Sequence, residues 1–337
     1  MTAVSVVVPT HWRPQLLARL LESLAGVAYR ADDLEVIVVG TASDTGRSIV
    51  ERFARTSAFP VTYLVVPDSE ATSPAFKRNA GVAAARGSIV AFTDDDCVVG
   101  PRWLAASVPL FDDARLGAVE GAVEIPRPEM PTSTYRGSLR LSRQGGYQTC
   151  NMLYRRSTFL EAGGFDLRFP YYMEDTDLGY SVLERGHRIG FAPDAIVVHP
   201  VERARPLKLL TMARTVRQMP YLFAKHPASA RQLRSFIKPF SRLHYAYLAL
   251  YVVSLVALVA RPGLGITVLA AGLGGLLLVQ LVREFAGMAF TRHEVLLTAV
   301  CQLVVPALRL YHWIMGHAAL RTRRSAGAGG ERGIERP

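Results

Sequence analysis

Ser88-Ile89-Val90-Ala91-Phe92-Thr93-Asp94-Asp95-Asp96-Cys97 is a short apolar run that ends in three adjacent carboxylates. Its first five residues have the length and composition of a buried strand. Neighbouring carboxylates repel one another, so a fold tolerates them most readily where a cation neutralises them. Alternate residues of an extended segment point the same way, which predicts that Asp94 and Asp96 share a face. Hard oxygen ligands of this kind select Mg2+ or Mn2+ and leave coordination positions open for substrate phosphates. A solvated acidic turn is the plainer alternative.

The sequence before this run has the same grammar. Residues 4–8 are a β-branched run ending at Pro9, and Leu16, Leu17, Leu20, Leu21 and Leu24 then recur at helical spacing. Strand patterns follow at 34–39 and 61–66, helical ones at 45–54 and 75–85. Alternation of this sort implies an α/β fold with a parallel, doubly wound sheet, whose ligand crevice lies at the carboxyl ends of the strands. The acidic triplet stands at such an end.

Charge separates the chain into regions. Residues 1–199 carry 20 Lys/Arg against 23 Asp/Glu, residues 200–245 carry 10 against 1, and residues 246–337 carry 9 against 4. The net +11 therefore comes from a belt beside apolar segments, which suits an anionic lipid surface and argues against a nucleic-acid groove. Residues 245–260 and 263–282 hold no charge and are separated by Arg261-Pro262-Gly263. They approach or reach the ~20 residues needed to cross a bilayer. A pair of buried core helices is the competing reading. Residues 295–316 are apolar but hold Pro306, Arg309 and His312, with Arg321, Arg323 and Arg324 behind them. If that segment spanned, the basic tail would lie outside, against the positive-inside tendency. Two spans with an interfacial or re-entrant third segment are expected.

The domain expectation is a catalytic domain at 1–205, basic interfacial helices at 206–244, a membrane region at 245–320 and a disordered tail at 321–337. Cys97, Cys150 and Cys301 have no zinc-ligand spacing, and nothing suggests a secretory leader. The first domain is expected in a reducing cytoplasm, on the inner face of the cytoplasmic membrane.

Several motifs occur in a fixed order. They are Val4-Ser5-Val6-Val7-Val8-Pro9-Thr10, Lys77-Arg78-Asn79-Ala80-Gly81, Ala85-Arg86-Gly87-Ser88 and the acidic triplet. Gly163-Gly164-Phe165-Asp166, Glu174-Asp175-Thr176-Asp177-Leu178, Gly186-His187-Arg188-Ile189 and Val197-Val198-His199-Pro200 follow. Together, over about residues 4–200, this series resembles the inverting family 2 glycosyltransferases of the GT-A fold. The resemblance implies a nucleotide-sugar donor contacted by Pro9, Thr10, Arg13, Lys77, Asn79, Asp94, Asp95 and Asn151. It implies that a metal at Asp94 and Asp96 neutralises the departing diphosphate, and that His199 completes the shell. It makes Asp175 the general base, with Glu174 beside it raising its pKa by like-charge repulsion. Structural roles compete at several of these positions. Lys77 or Arg78 suits a solvated helix face, acids are favoured at any helix start, and a lone His at a strand end is commonly structural.

One departure stands out. The family's second strand usually ends in an acidic residue that reads the base. Here Val38-Val39 runs into Gly40-Thr41-Ala42-Ser43-Asp44, so either Asp44 takes that role from a shifted loop or base reading is looser, and the identity of the nucleotide is left open. The acceptor implied is a glycan or a lipid-linked hydroxyl. Addition of single sugars is expected over processive extrusion, because no QxxRW motif follows residue 200. A catalytically idle membrane scaffold of the same fold is the competing class, and association of several copies is left open.

Overall fold

The computed structural model describes residues 3–129, 138–169, 172–201, 207–286 and 291–330. The expected boundary near 205 and the last seven residues of the expected tail lie outside them. The chain divides into two compact units, Met1–Arg127 with Gly137–Glu202, and Pro128–Arg136 with Arg203–Pro337.

The first unit is built on an eight-stranded sheet. Its strands are β1 (Val4–Pro9), β2 (Leu34–Thr41), β3 (Val61–Val66), β4 (Ile89–Phe92), β5 (Val98–Val99), β6 (Leu116–Glu124), β7 (Met152–Arg155) and β8 (Arg188–Val198). Their order is β3-β2-β1-β4-β7-β6-β8-β5. The first four run parallel, as the alternating pattern predicts. Beyond β4 the sheet is mixed, because β7 is antiparallel to both β4 and β6, while β8 returns parallel to β6.

β1 is buried along its whole length, which explains its continuous β-branched run. Helix α1 (Pro14–Ala25) covers one sheet face with Leu17, Leu20, Leu21 and Leu24, the helical-spacing set of the sequence. Helix α2 (Gly46–Ala54) follows β2, and α3 (Pro74–Ala84) follows β3. Gly81 lets α3 approach β1 closely, since a Cβ there would overlap the side chain of Val7. β1 and β4 are parallel neighbours, Val7 opposite Phe92, so their carboxyl ends open side by side. The order of connections reverses between them, where open α/β sheets place ligands.

The Ala85–Ser88 motif serves the other end of these strands. Glu35 Oε1 accepts from Ser5 Oγ at 2.6 Å and from the Arg86 backbone N–H at 2.7 Å, and Gly87 N–H donates to Ser5 Oγ. Burial pushes the Glu35 carboxyl up, but these donors and the Arg86 guanidinium hold it below its usual range. Helices α4 (Trp103–Ser107), α5 (Arg156–Glu161) and α6 (Glu174–Glu184) complete the unit.

The second unit is helical among the described residues. Short helices α7 (Lys208–Ala213), α8 (Met219–Lys225) and α9 (Ala230–Phe236) precede α10 (Arg242–Ala260), α11 (Pro262–Phe285) and α12 (Arg292–Gly330). Windows in the last three are long and apolar enough to cross a membrane, with mean hydropathies of 2.0, 2.1 and 1.5. Their large exposed side chains are mostly Val, Leu and Ile, while Ser254, Gln280, Thr298 and Gln302 are buried, the reverse of a water-soluble helix. α12 carries on through Pro306 to Gly330, so the backbone of 321–330 is helical where the sequence suggests disorder.

Candidate active site

Three consecutive residues of α3 tie the site together. Lys77 Nζ donates to the backbone carbonyls of Thr10 (2.6 Å) and Ala71 (2.5 Å). Arg78 donates through Nη2 to Asp94 at 2.7 Å and through Nη1 to Glu174 at 3.3 Å. Asn79 makes a two-way amide clamp on Phe165, donating to its carbonyl and accepting from its N–H. Successive helix residues point about 100° apart, so one turn reaches the β1 loop, the acidic cluster and the Gly163–Asp166 turn.

The acidic triplet is a turn. Cys97 N–H donates to the Asp94 carbonyl at 3.1 Å, which closes the chain on itself just past β4. The alternation argument therefore fails here, and the three carboxylates diverge. Asp94 goes to Arg78. Asp95 accepts from Thr10 Oγ1 at 2.9 Å, from His11 N–H at 3.2 Å and from Arg13 at 3.3 Å. Asp96 takes the shorter Arg13 contact, 2.7 Å. Burial lifts Asp95 to about 6 despite Arg13 and Thr10, and lifts Asp96 with help from the Asp94 charge.

Asp96 also faces His199, which arrives at the end of β8. The His199 Nε2 to Asp96 Oδ1 distance is 4.0 Å, and ligand atoms of Asp96, Cys97 and His199 lie within 4.8 Å of one another. His199 Nδ1 lies 2.9 Å from the Pro200 carbonyl. A carbonyl only accepts, so in the neutral ring Nδ1 carries the proton and the Nε2 lone pair points at the carboxylate side. Two electron-rich groups facing one another suit a cation between them. The Cys97 thiol is pushed well above its usual range by its hydrogen bond with Cys150 and by burial, so it stays protonated and the donor set is hard.

The second carboxylate cluster begins α6. Met173 at its N-cap has φ 77°, a left-handed conformation that a non-glycine residue adopts at a cost of order 1–3 kcal/mol. That bend turns Glu174 inward to Arg78 and leaves Asp175 half-buried, accepting from its neighbour Thr176, N–H at 2.7 Å. No cation lies within ion-pair distance of Asp175 among the described residues. Burial, reinforced by the Glu174 charge, pushes Asp175 up to about 7. Glu174 is raised too, by burial, against the opposing pull of Arg78.

The remaining sequence candidates serve the frame. Asn151 is fully buried, with Oδ1 accepting from Trp103 Nε1 and Nδ2 donating to the carbonyls of Ala122 and Ala195, so it faces no open space. Lys77 and Asn79 are spent on backbone, as above. Asp44 accepts from Trp12 N–H and Gly46 N–H, which fixes the β1–α1 loop with Trp12 exposed at φ 55°. Pro9 ends β1, and Thr10 hangs its carbonyl on Lys77 and its hydroxyl on Asp95. Among the described residues Arg78 is the side chain that bridges both acidic clusters, a role its residue type alone does not announce. The clue was its place between two residues whose side chains also point inward. Nothing in the sequence announced the left-handed Met173.

A family model described as glycosyltransferase like family 2 matches residues 2–220. The chain belongs to this family. The glycosyltransferase AglE of Haloferax volcanii is 26% identical to it over 214 residues, 60% of this chain and 67% of AglE. The succinoglycan biosynthesis protein ExoM of Rhizobium meliloti is 30% identical over 219 residues, 60% of this chain and 68% of ExoM. The mannosyltransferase PcManGT of Pyrobaculum calidifontis, solved in complex with GDP-Man and Mn2+, is similar with a TM-score of 0.57 at 21% identity. That alignment covers 91% of this chain and 86% of PcManGT, and likeness at such identity shows the GT-A fold alone. In this family 2 glycosyltransferase both acidic clusters belong to the matched segment, as does the α3 turn that joins them.

Proposed function

We propose that this glycosyltransferase moves a sugar from a nucleotide-diphosphate donor to a hydroxyl in one displacement, inverting the anomeric carbon. The observation that carries the proposal is the Arg78 guanidinium, which binds Asp94 of one cluster and Glu174 of the other. It puts Asp175, a high-pKa carboxylate with no ion-pair partner among the described residues, across one side chain from the carboxylates next to the β1 loop.

In this reading Asp175 accepts the proton of the acceptor hydroxyl as its oxygen bonds to the anomeric carbon. The bond from that carbon to the diphosphate breaks, and its electron pair leaves with the diphosphate. A base with pKa near the working pH suits such a transfer. Asp96 and His199 would hold a Mg2+ or Mn2+ ion, which supplies Lewis-acid stabilisation of the leaving group when bound. Arg13, Thr10 and Asp95 line the donor side, and Arg78 keeps Glu174 and Asp94 apart in charge. Asp44, through the loop it fixes, serves the nucleobase.

The sugar moved is a hexose, and the acceptor is a cell-envelope glycan or a lipid-linked hydroxyl in polysaccharide assembly. The naming of ExoM and the apolar helices after residue 242 both favour that choice. The catalytic domain, residues 1–205, works on the cytoplasmic side of the inner membrane, with 206–244 on anionic lipid and 245–320 as its membrane region. Membranes containing the protein, supplied with Mn2+ and labelled nucleotide sugars, test the reading. The product linkage should have the anomeric configuration opposite to the donor's, and EDTA should stop its formation. A retained configuration, or undiminished transfer in EDTA, would overturn the inversion or the metal in turn.

A further inference from the structure

The third apolar helix can be placed by register. α10 and α11 form a close antiparallel hairpin, in which Gly265 packs on Leu258 and Gly272 on Leu250. Each step along α11 is matched by a step back along α10, so Gln280 comes level with Arg242, the start of α10. α11 therefore ends on the side where α10 began. The seven peptide steps from Phe285 to Arg292 reach at most ~25 Å, short of the ~30 Å hydrocarbon core. α12 thus begins on that same side.

Its later residues are on that side too. Arg309 Nε donates to the Pro239 carbonyl at 2.7 Å, and Trp313 packs edge-on against Phe223 and Phe240. Gly316 lies against the backbone of Arg217. All these partners precede α10. Arg292 and Gly316 are ~36 Å apart along a helix, so α12 joins two points on one side and runs along the surface. Tyr251, nine residues into α10, donates to the Leu303 carbonyl. Helical side chains lean toward the N-terminus, so this contact sets Leu303 at shallow depth.

One face of α12 is uncovered among the described residues. Leu296, Val300, Val304, Tyr311 and Ile314 are exposed and fall within an arc of about 80°. Arg309, Trp313 and Gly316 project from the opposite side. We propose that this stripe is embedded in the headgroup–acyl boundary of an anionic bilayer, making α12 a surface brace and the chain a two-span protein. The basic belt supplies the partners of the opposite side, Arg217, Phe223, Pro239 and Phe240, and α10 and α11 are long and apolar enough to cross a bilayer. Interfacial helices insert by ~5–10 Å with such geometry. The inference rests on the reading of α10 and α11 as a bilayer hairpin.

Single-cysteine variants of the full chain in sealed, oriented vesicles test it, since Cys97, Cys150 and Cys301 are buried. With an impermeant thiol reagent, Ser235→Cys and Thr322→Cys should label from one side and Gly263→Cys from the other. Thr322→Cys labelling together with Gly263→Cys, opposite Ser235→Cys, would make α12 a span and overturn the brace while sparing the hairpin. Gly263→Cys labelling with Ser235→Cys would overturn the hairpin and the brace with it. A spin label at Val304→Cys should report a depth near the headgroups. A label at the bilayer centre would contradict the surface placement.

Discussion

The turn at Asp94–Asp96 and the helix start at Glu174–Asp175 both cluster carboxylates in a buried setting, yet they treat charge in opposite ways. In the turn every carboxylate has a cation: Arg78 for Asp94, Arg13 for Asp95 and Asp96. At the helix start, among the described residues, Arg78 pairs with Glu174, while Asp175 accepts a backbone N–H and a hydroxyl from Thr176. Paired carboxylates sit beside positive charge and can organise cations and phosphates, although burial still lifts Asp95 to about 6. An unpaired one beside a like charge holds its proton until near neutrality, which is what a proton acceptor at working pH requires. The difference assigns binding to one cluster and proton transfer to the other.

Substitutions should break this division of labour in graded ways. Asp175→Asn keeps shape and removes basicity, so turnover should fall by about 10²–10⁴-fold with donor affinity little changed. Near-normal turnover would move the base elsewhere. Asp96→Ala should weaken Mn2+ binding by roughly 10–100-fold, read by titration calorimetry on the folded protein, while Asp94→Ala should do less. Equal losses in the two variants would restore the alternation that the turn removes. Arg78→Lys keeps charge but loses the fork that spans both clusters, and should cost roughly tenfold in kcat/KM. A neutral effect would mean that the bridge positions nothing.

The smallest effect concerns the frame. Asn79→Ala removes both hydrogen bonds to the Phe165 backbone and should destabilise the protein by about 1–3 kcal/mol. The KM for donor should stay within about twofold, since Asn79 is turned inward; a large rise would return Asn79 to the donor.

These contrasts show what the sequence could carry. The parallel half of the sheet was legible because β1 and β2 are buried on both faces and α1 on one stripe, and such burial leaves periodic apolar residues. The antiparallel half was not, since β7 is four residues long and its pairing with β4 and β6 is non-local. At the site, residue types were legible and directions were not. Asp94 and Asp96 look alternate in sequence and diverge because the chain turns at Asp94. Asn151 and Asn79 look like polar ligands, yet their amides are consumed by backbone groups brought from elsewhere in the fold. The pairing of Asp96 with His199 brings together residues 103 positions apart, and only the β8 return creates it.

Asp175, the proposed base, has no ion-pair partner among the described residues, and burial and the Glu174 charge raise its pKa to about 7. A base must be deprotonated to act, so the active form is lost as pH falls through that value. The direct test is kcat against pH from about 5 to 9 with donor and acceptor saturating, for the unaltered protein and for Asp175→Asn. A plateau is expected above about pH 7 with a fall of about tenfold per unit below it; in Asp175→Asn the fall should begin only lower, near pH 6, where Asp95 takes its proton. A kcat that stays level from pH 5 to 8, or a limb near pH 7 that survives in Asp175→Asn, would contradict the assignment of Asp175 as the base.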